Sequence, residues 1–171
     1  MTFSIEIMFQ IKQATTTDVP TIRQLAQPVW WHTYTQLLTE DHVAYMFKVR
    51  YSVEEIITQM QDGSQTYLLL MDDSEPVAFA SYGPREENPE VYKLHKLYCL
   101  PQTQGKGCGK ALLNAVFKQV TALGIKTLEL NVHRQNKARN FYEKMGFTIA
   151  YEEDISIGPY WMNDYVMRRK L

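Results

Sequence analysis

The chain is poor in cysteine and has no long apolar run, and each scarcity removes a class of protein. Two cysteines in 171 residues, Cys99 and Cys108, make neither a disulfide framework nor a zinc-ligand set, so they read as reduced thiols and no metal is expected. No stretch approaches the about 18 uncharged apolar residues of a transmembrane helix. The N-terminus has no basic region ahead of an apolar core, and Glu6 falls early in it. No signal peptide is therefore expected, and a cytoplasmic location follows. Neither sign of charge dominates: 18 Lys+Arg face 19 Asp+Glu, leaving no overall field to draw the chain to nucleic acid or membrane. Repeats, low-complexity tracts and Gly/Ser linkers are missing too. A single domain over residues 1–171 is expected, with residues 1–7 an N-terminal extension.

What is present is ordinary globular material. The apolar share is 45% and the charged share 22%, and a chain of this length buries a core without a metal or disulfide. Met8 to Gln13 alternates like a first strand. Thr16, Thr17 and Asp18 with Pro20 supply a helix start, and Val19, Ile22, Leu25 and Ala26 continue at helical spacing until Pro28, which is expected to stop it. Val29 to Asp62 is helical in pattern, with a capping box from Ser52 to Glu55 opening its last stretch and Gly63 closing it. Tyr67–Met71 and Val77–Tyr82 read as two strands around a turn, and Val91 to Leu100 as another. A helix through Leu112, Leu113, Val116, Phe117 and Val120 follows, then a strand from Ile125 to Val132 and a helix through Ala138, Phe141, Tyr142 and Met145. Phe147–Ile157 and Tyr160–Lys170 form a closing hairpin. The order predicts an α/β fold with one mixed sheet and helices on both faces.

The segment from Leu97 to Lys110 is the most informative. A strand runs into a loop with glycines at 105, 107 and 109, and a helix starts at once. Glycines let backbone N–H groups approach a ligand closely, and a helix N-terminus favours an anion. Lys at 110 breaks the dinucleotide fingerprint, and Gln104 and Ala111 break the Walker A loop. The spacing that fits is Gln104-x-x-Gly107-x-Gly109. With Ala14-Thr-x-x-Asp18-x-x-x-Ile22-x-x-Leu25 before it and Asn136-Lys-Ala-Arg-Asn-Phe141-Tyr142 after it, the chain resembles the GNAT N-acetyltransferase superfamily. It is most similar there to the bacterial spermidine/diamine N-acetyltransferase subgroup. Trp30 to Tyr45, Leu97-Tyr-Cys-Leu-Pro and Met162-Asn-Asp-Tyr-Val-Met carry that likeness. His133 and Tyr160-Trp161 depart from it.

The resemblance implies a mixed, mostly antiparallel sheet of about seven strands and an acetyl-CoA cofactor. It places the diphosphate on Gln104, Gly105, Lys106, Gly107, Cys108, Gly109 and Lys110, and the pantetheine on the backbone of Leu97, Tyr98 and Cys99. Asn136 and Arg139 would also contact the cofactor. Tyr142 would be the general acid, since a phenol is protonated at neutral pH. A base is less well marked; His95 is the expected one, with Glu90, Glu129 and His133 as alternatives. Strand alternation sets His95 beside Leu97 and Cys99, and Glu129 beside Asn131 and His133. Trp31, Tyr34 and Glu90 are expected on the acceptor side, where aromatic rings and acids suit a cation. The implied acceptor is a small primary amine or polyamine that attacks directly in a ternary complex. Acetylation of protein N-termini or lysines, and a coenzyme A-binding regulator without turnover, are the alternatives. The closing hairpin leaves a homodimer open.

Overall fold

A computed structural model describes residues 9–171; the start of the first strand at Met8 and the extension over residues 1–7 lie outside the described residues. Among the described residues seven strands form one sheet in the order β1-β2-β3-β4-β5-β7-β6. They are β1 (Phe9–Gln13), β2 (Thr66–Asp72), β3 (Glu75–Pro84), β4 (Tyr92–Cys99), β5 (Thr127–His133), β6 (Thr148–Ile157) and β7 (Tyr160–Lys170). Among the described residues every neighbouring pair is antiparallel except β4 with β5. Helices α1 (Val19–Tyr34), α2 (Glu40–Tyr51) and α3 (Val53–Gln61) cover one face, and α4 (Cys108–Ala122) the other, while α5 (Ala138–Lys144) follows β5.

Alternation along β2 explains why both faces are apolar. Leu68 and Leu70 point to the core beneath α4, and Tyr67 and Leu69 to the core beneath α1–α3. A strand buried on both faces reads as a continuous apolar run, as Tyr67 to Met71 does. Asp73 and Ser74, at φ of 48° and 71°, make the tight two-residue turn into β3.

Two helical expectations need correction. Pro28 does not stop the first helix; α1 runs through it to Tyr34. The ring removes one backbone hydrogen bond, that of the Gln24 carbonyl, but Gln24 and Pro28 both lie on the exposed face, where water can take its place. The helix then buries Trp30 and Tyr34, whose rings sit 4.4 Å apart, and Trp30 Nε1 donates to the Val43 carbonyl at 3.1 Å. That burial outweighs the loss. The pattern from Val29 to Asp62 is likewise the end of α1 followed by two helices. Thr39 caps α2 through the His42 N–H, and Ser52, in extended conformation, caps α3 through the Glu55 N–H.

A third correction concerns β4. Ser81 pairs with Lys96 and Tyr82 with Leu94, so His95 has no partner on β3 and forms a bulge. The bulge reverses the alternation. Leu94, not His95, shares the α4-side core with Leu97 and Cys99, while Lys96 and Tyr98 turn to the other face.

Candidate active site

Strands β4 and β5 pair over three residues, from Tyr92 with Leu128 to Leu94 with Leu130, and then separate. Beyond that point β4 runs on through Leu97, Tyr98 and Cys99 without β5, and β5 runs on through Asn131 to His133 paired with β7. The gap opens a cavity of about 630 Å³. Its walls are β4 from Leu94 to Cys99, β5 from Leu130 to Val132, the loop from Thr103 to Lys110, Tyr34 with Val29 and Thr33 of α1, and Asn136, Ala138, Phe141 and Tyr142. A sheet opened along a strand leaves backbone N–H and C=O groups facing the gap, ready to bind an extended ligand.

At the end of β4 the backbone turns through Gly105 and Gly107, at φ of 79° and 82°, and α4 begins at Cys108. Among the described residues no backbone carbonyl accepts from the N–H groups of Gly105, Gly107, Cys108, Gly109 or Lys110. Five free donors at a helix start form an anion cradle. Gly109 is needed for a different reason: a Cβ there would meet the Phe141 ring at 3.3 Å and Cys99 Sγ at 3.7 Å. The cradle and the opened strand fit a diphosphate joined to an amide-bearing arm.

Most residues expected from the sequence meet in this one cavity: His95, Leu97, Tyr98, Cys99, Gln104, Gly105, Gly107, Cys108, Gly109, Lys110, Asn136, Tyr142 and Tyr34. Four lie outside its wall, as do the alternative bases Glu129 and His133. Lys106 leans toward Asp72 at 3.8 Å, and Arg139 pairs with Glu143 at 3.2 Å above the Tyr165 ring. Trp31 packs edge-on against Phe47, and Glu90 is exposed in the loop ahead of β4. The Asn136 side chain accepts the Ala138 N–H at 2.9 Å, which starts the α5 turn.

Burial pushes the Tyr142 phenol above its ordinary value, with Tyr34 and Cys99 adding to the rise. It therefore stays protonated. Burial also pushes the Cys99 thiol up to about 12 and raises Cys108, so neither is an attacking thiolate. His95 is driven the other way, down to about 2, by burial first and then by the positive charges of Lys93, Lys96, Arg85 and Arg50. Glu129, 2% exposed, is held by Arg85 and by Arg168 at 2.6 and 2.8 Å. His133 Nδ1 accepts the Gln135 N–H at 3.2 Å.

Sequence reasoning missed Asn131 as a wall residue, although alternation with Glu129 and His133 marked its face. Its Nδ2 donates to Glu153 at 2.8 Å and to Asp164 at 3.3 Å, and its Oδ1 accepts from Arg85 at 3.3 Å. Lys96 was passed over as well. Its ammonium is buried against Gln59, Gln65 and the Tyr67 hydroxyl at 3.2, 2.9 and 2.7 Å, and burial brings it down to about 7.

Known proteins carry the same architecture. The family model described as an acetyltransferase (GNAT) domain matches residues 34–159. The chain belongs to the GNAT acetyltransferase family. An uncharacterised N-acetyltransferase of Mycobacterium tuberculosis is 30% identical over 132 residues, 77% of this chain and 83% of that one. The spermidine N(1)-acetyltransferase of Thermoplasma acidophilum is 25% identical over 166 residues, 94% of this chain and 96% of that one. The crystal structure of the PaiA N-acetyltransferase of the same organism, in complex with coenzyme A, superposes with a TM-score of 0.81 at 26% identity. It covers 96% of this chain and 100% of that one. The protein is an acetyl-CoA-dependent N-acetyltransferase with the mixed, mostly antiparallel fold of that family. No helix among the described residues is long and apolar enough to cross a membrane.

Proposed function

We propose that this acetyltransferase acts on the primary amine of a small molecule, polyamines included, by direct attack while both substrates are bound. The observation that carries the reading is the cavity between β4 and β5, whose wall holds both the anion cradle and Tyr34, His95 and Asn131. The spermidine-acetylating relative supports an acceptor of this size. Burial, which raises the thiols of both Cys99 and Cys108, supports direct transfer, because a protonated thiol is a poor carrier of the acetyl group.

Each residue then has a role that its position suits. The N–H groups of Gly105, Gly107, Cys108, Gly109 and Lys110 hold the diphosphate, with Gln104 beside them. The backbone of Leu97, Tyr98 and Cys99 pairs with the pantetheine amides, and one N–H there polarises the thioester carbonyl. Acetyl-CoA, when bound, supplies the activated acetyl group. Tyr142 gives its phenolic proton to the departing sulfur, and the proton that the nitrogen sheds as the amide forms restores it. His95 is better suited to accept a hydrogen bond than to serve as the base, because an imidazole so hard to protonate takes up a proton poorly.

A thiol-release assay over polyamines, amino acids, aminoglycosides and short peptides tests the reading. Intersecting double-reciprocal lines with small amines are expected. A trapped acetyl-enzyme overturns direct transfer, and turnover confined to peptides overturns the small-molecule acceptor. Coenzyme A binding with no turnover on any amine leaves a regulator.

A further inference from the structure

The reaction needs an amine with a free lone pair, yet among the described residues no carboxylate lines the cavity, and the candidate bases outside its wall are engaged or exposed. Glu129 is locked between two arginines, His133 is engaged through Nδ1, and Glu90 is exposed away from the site. What the wall does offer beside the β4–β5 gap is two neutral acceptors. Asn131 is fixed by its network. Two carboxylates, Glu153 and Asp164, take both contacts from Nδ2, so the amide cannot be reversed, and Oδ1 has one lone pair left after Arg85. His95, at the bulge, lines the same cavity with a buried Nε2 that has no hydrogen-bond partner among the described residues.

We propose that His95 and Asn131 receive the acceptor amine in its neutral, free-base form, His95 Nε2 and Asn131 Oδ1 each taking one of its two N–H bonds and leaving the lone pair free for the thioester. The proposal rests on the transferase reading and narrows its acceptor. The N–H bond that must break first does so in solution: the proton goes to water or buffer, and the electron pair stays on nitrogen. The surroundings favour this form. His95 is flanked on its own strand by Lys93 and Lys96, faced by Arg85 from the end of β3 and by Arg50 from the last turn of α2. Burial and these like charges hold the imidazole neutral, and they oppose an ammonium brought to the same place. Three acids face the area from the other strands, and each is partly engaged: Glu129 by Arg85 and Arg168, Glu153 by Asn131, and Asp164 by Asn131 with His133 and Lys93 nearby. The preferred acceptors are therefore weakly basic amines. A polyamine reacts only as the fraction whose attacking nitrogen has lost its proton.

The test uses the intact wild-type protein with ethylamine, 2-methoxyethylamine and 2,2,2-trifluoroethylamine, which are similar in size and fall in basicity. The rise of kcat/KM with pH is expected to move with each amine's own ionisation, tenfold per pH unit below it. A midpoint that stays at one pH for all three reports a titrating group of the enzyme and overturns the proposal. His95→Ala and Asn131→Ala are expected to lower kcat/KM for the amine roughly 10- to 100-fold while the KM for acetyl-CoA is unmoved. An unaltered amine kcat/KM in either variant overturns it too. Thiol release with none of the amines, while coenzyme A still binds, overturns the transferase reading first and this proposal with it.

Discussion

Leu94 faces Leu130 across the parallel seam of the sheet, and they are the last such partners before β4 and β5 part. The bulge at His95 follows at once and turns the backbone of β4 away. One irregularity thus sets both where the cavity begins and which side chains line it.

Tyr142 lies on that cavity with its phenol held protonated by burial. Tyr142→Phe keeps the ring packing against Phe141 and Phe147 and removes the transferable proton. We expect kcat to fall by roughly 10²-fold or more with little change in coenzyme A affinity. Steady-state rates beside calorimetric titration of coenzyme A check this, and an undiminished kcat dismisses Tyr142 as the acid.

Gly109 packs where α4 meets Phe141 and Cys99. Gly109→Val pushes a branched side chain into that contact, and the overpacking is expected to cost about 1–3 kcal/mol of stability. Because Phe141 is a wall residue, acetyl-CoA affinity should drop as well. Urea unfolding and a coenzyme A titration give the two readouts.

Lys96 ties stability to pH. Its pKa is about 7 in the folded chain and close to the ordinary lysine value when unfolded, so between these values the unfolded chain holds the extra proton. Stability contributed by this group therefore rises with pH from about 7 toward about 10 and is lost as pH falls back through that window. Lys96→Met should flatten the rise, seen as a smaller change in urea midpoint between pH 7 and pH 9. An unchanged slope in the variant contradicts the assignment.

Pro28→Ala should strengthen α1. Alanine restores the bond to Gln24 and relieves the ring's clash, against a loss of unfolded-state stiffness of about 0.4–1 kcal/mol. A net gain of roughly 2 kcal/mol is expected, the difference of about 3 kcal/mol between Pro and Ala in a helix interior less that offset. Thermal unfolding measures it, and a lower midpoint would show that Pro28 is favourable where it stands.

Local chemistry was the readable part of this chain. Ser52 before Glu55, the turn between β2 and β3 and the glycines from 105 to 109 all act within a few residues of themselves, and each lies where its spacing placed it. Features set by distant packing were hidden. The burial of Trp30 and Tyr34 that carries α1 past Pro28 depends on Val43, Phe47 and Tyr98. The bulge at His95 depends on how β3 pairs with β4, and its effect on alternation moved His95 from the expected face. Glu129 looked free because its partners, Arg85 and Arg168, lie far from it along the chain. Trp31 and Tyr34 are equally aromatic in the sequence, but one helical turn separates a ring on Phe47 from a ring on the cavity.

The cavity wall from Leu94 to Lys110 comes from one unbroken stretch of chain, whereas Tyr34, Asn131 and Tyr142 arrive from three separate places. A chimera that exchanges the residues ahead of Glu75 would therefore swap β1, β2 and α1 to α3 for those of a relative and leave the stretch from Leu94 to Lys110 whole. Such an exchange would replace Tyr34 but carry His95 and Asn131 over unchanged, so the two proposed acceptor contacts travel with the retained half of the chain and not with the helices.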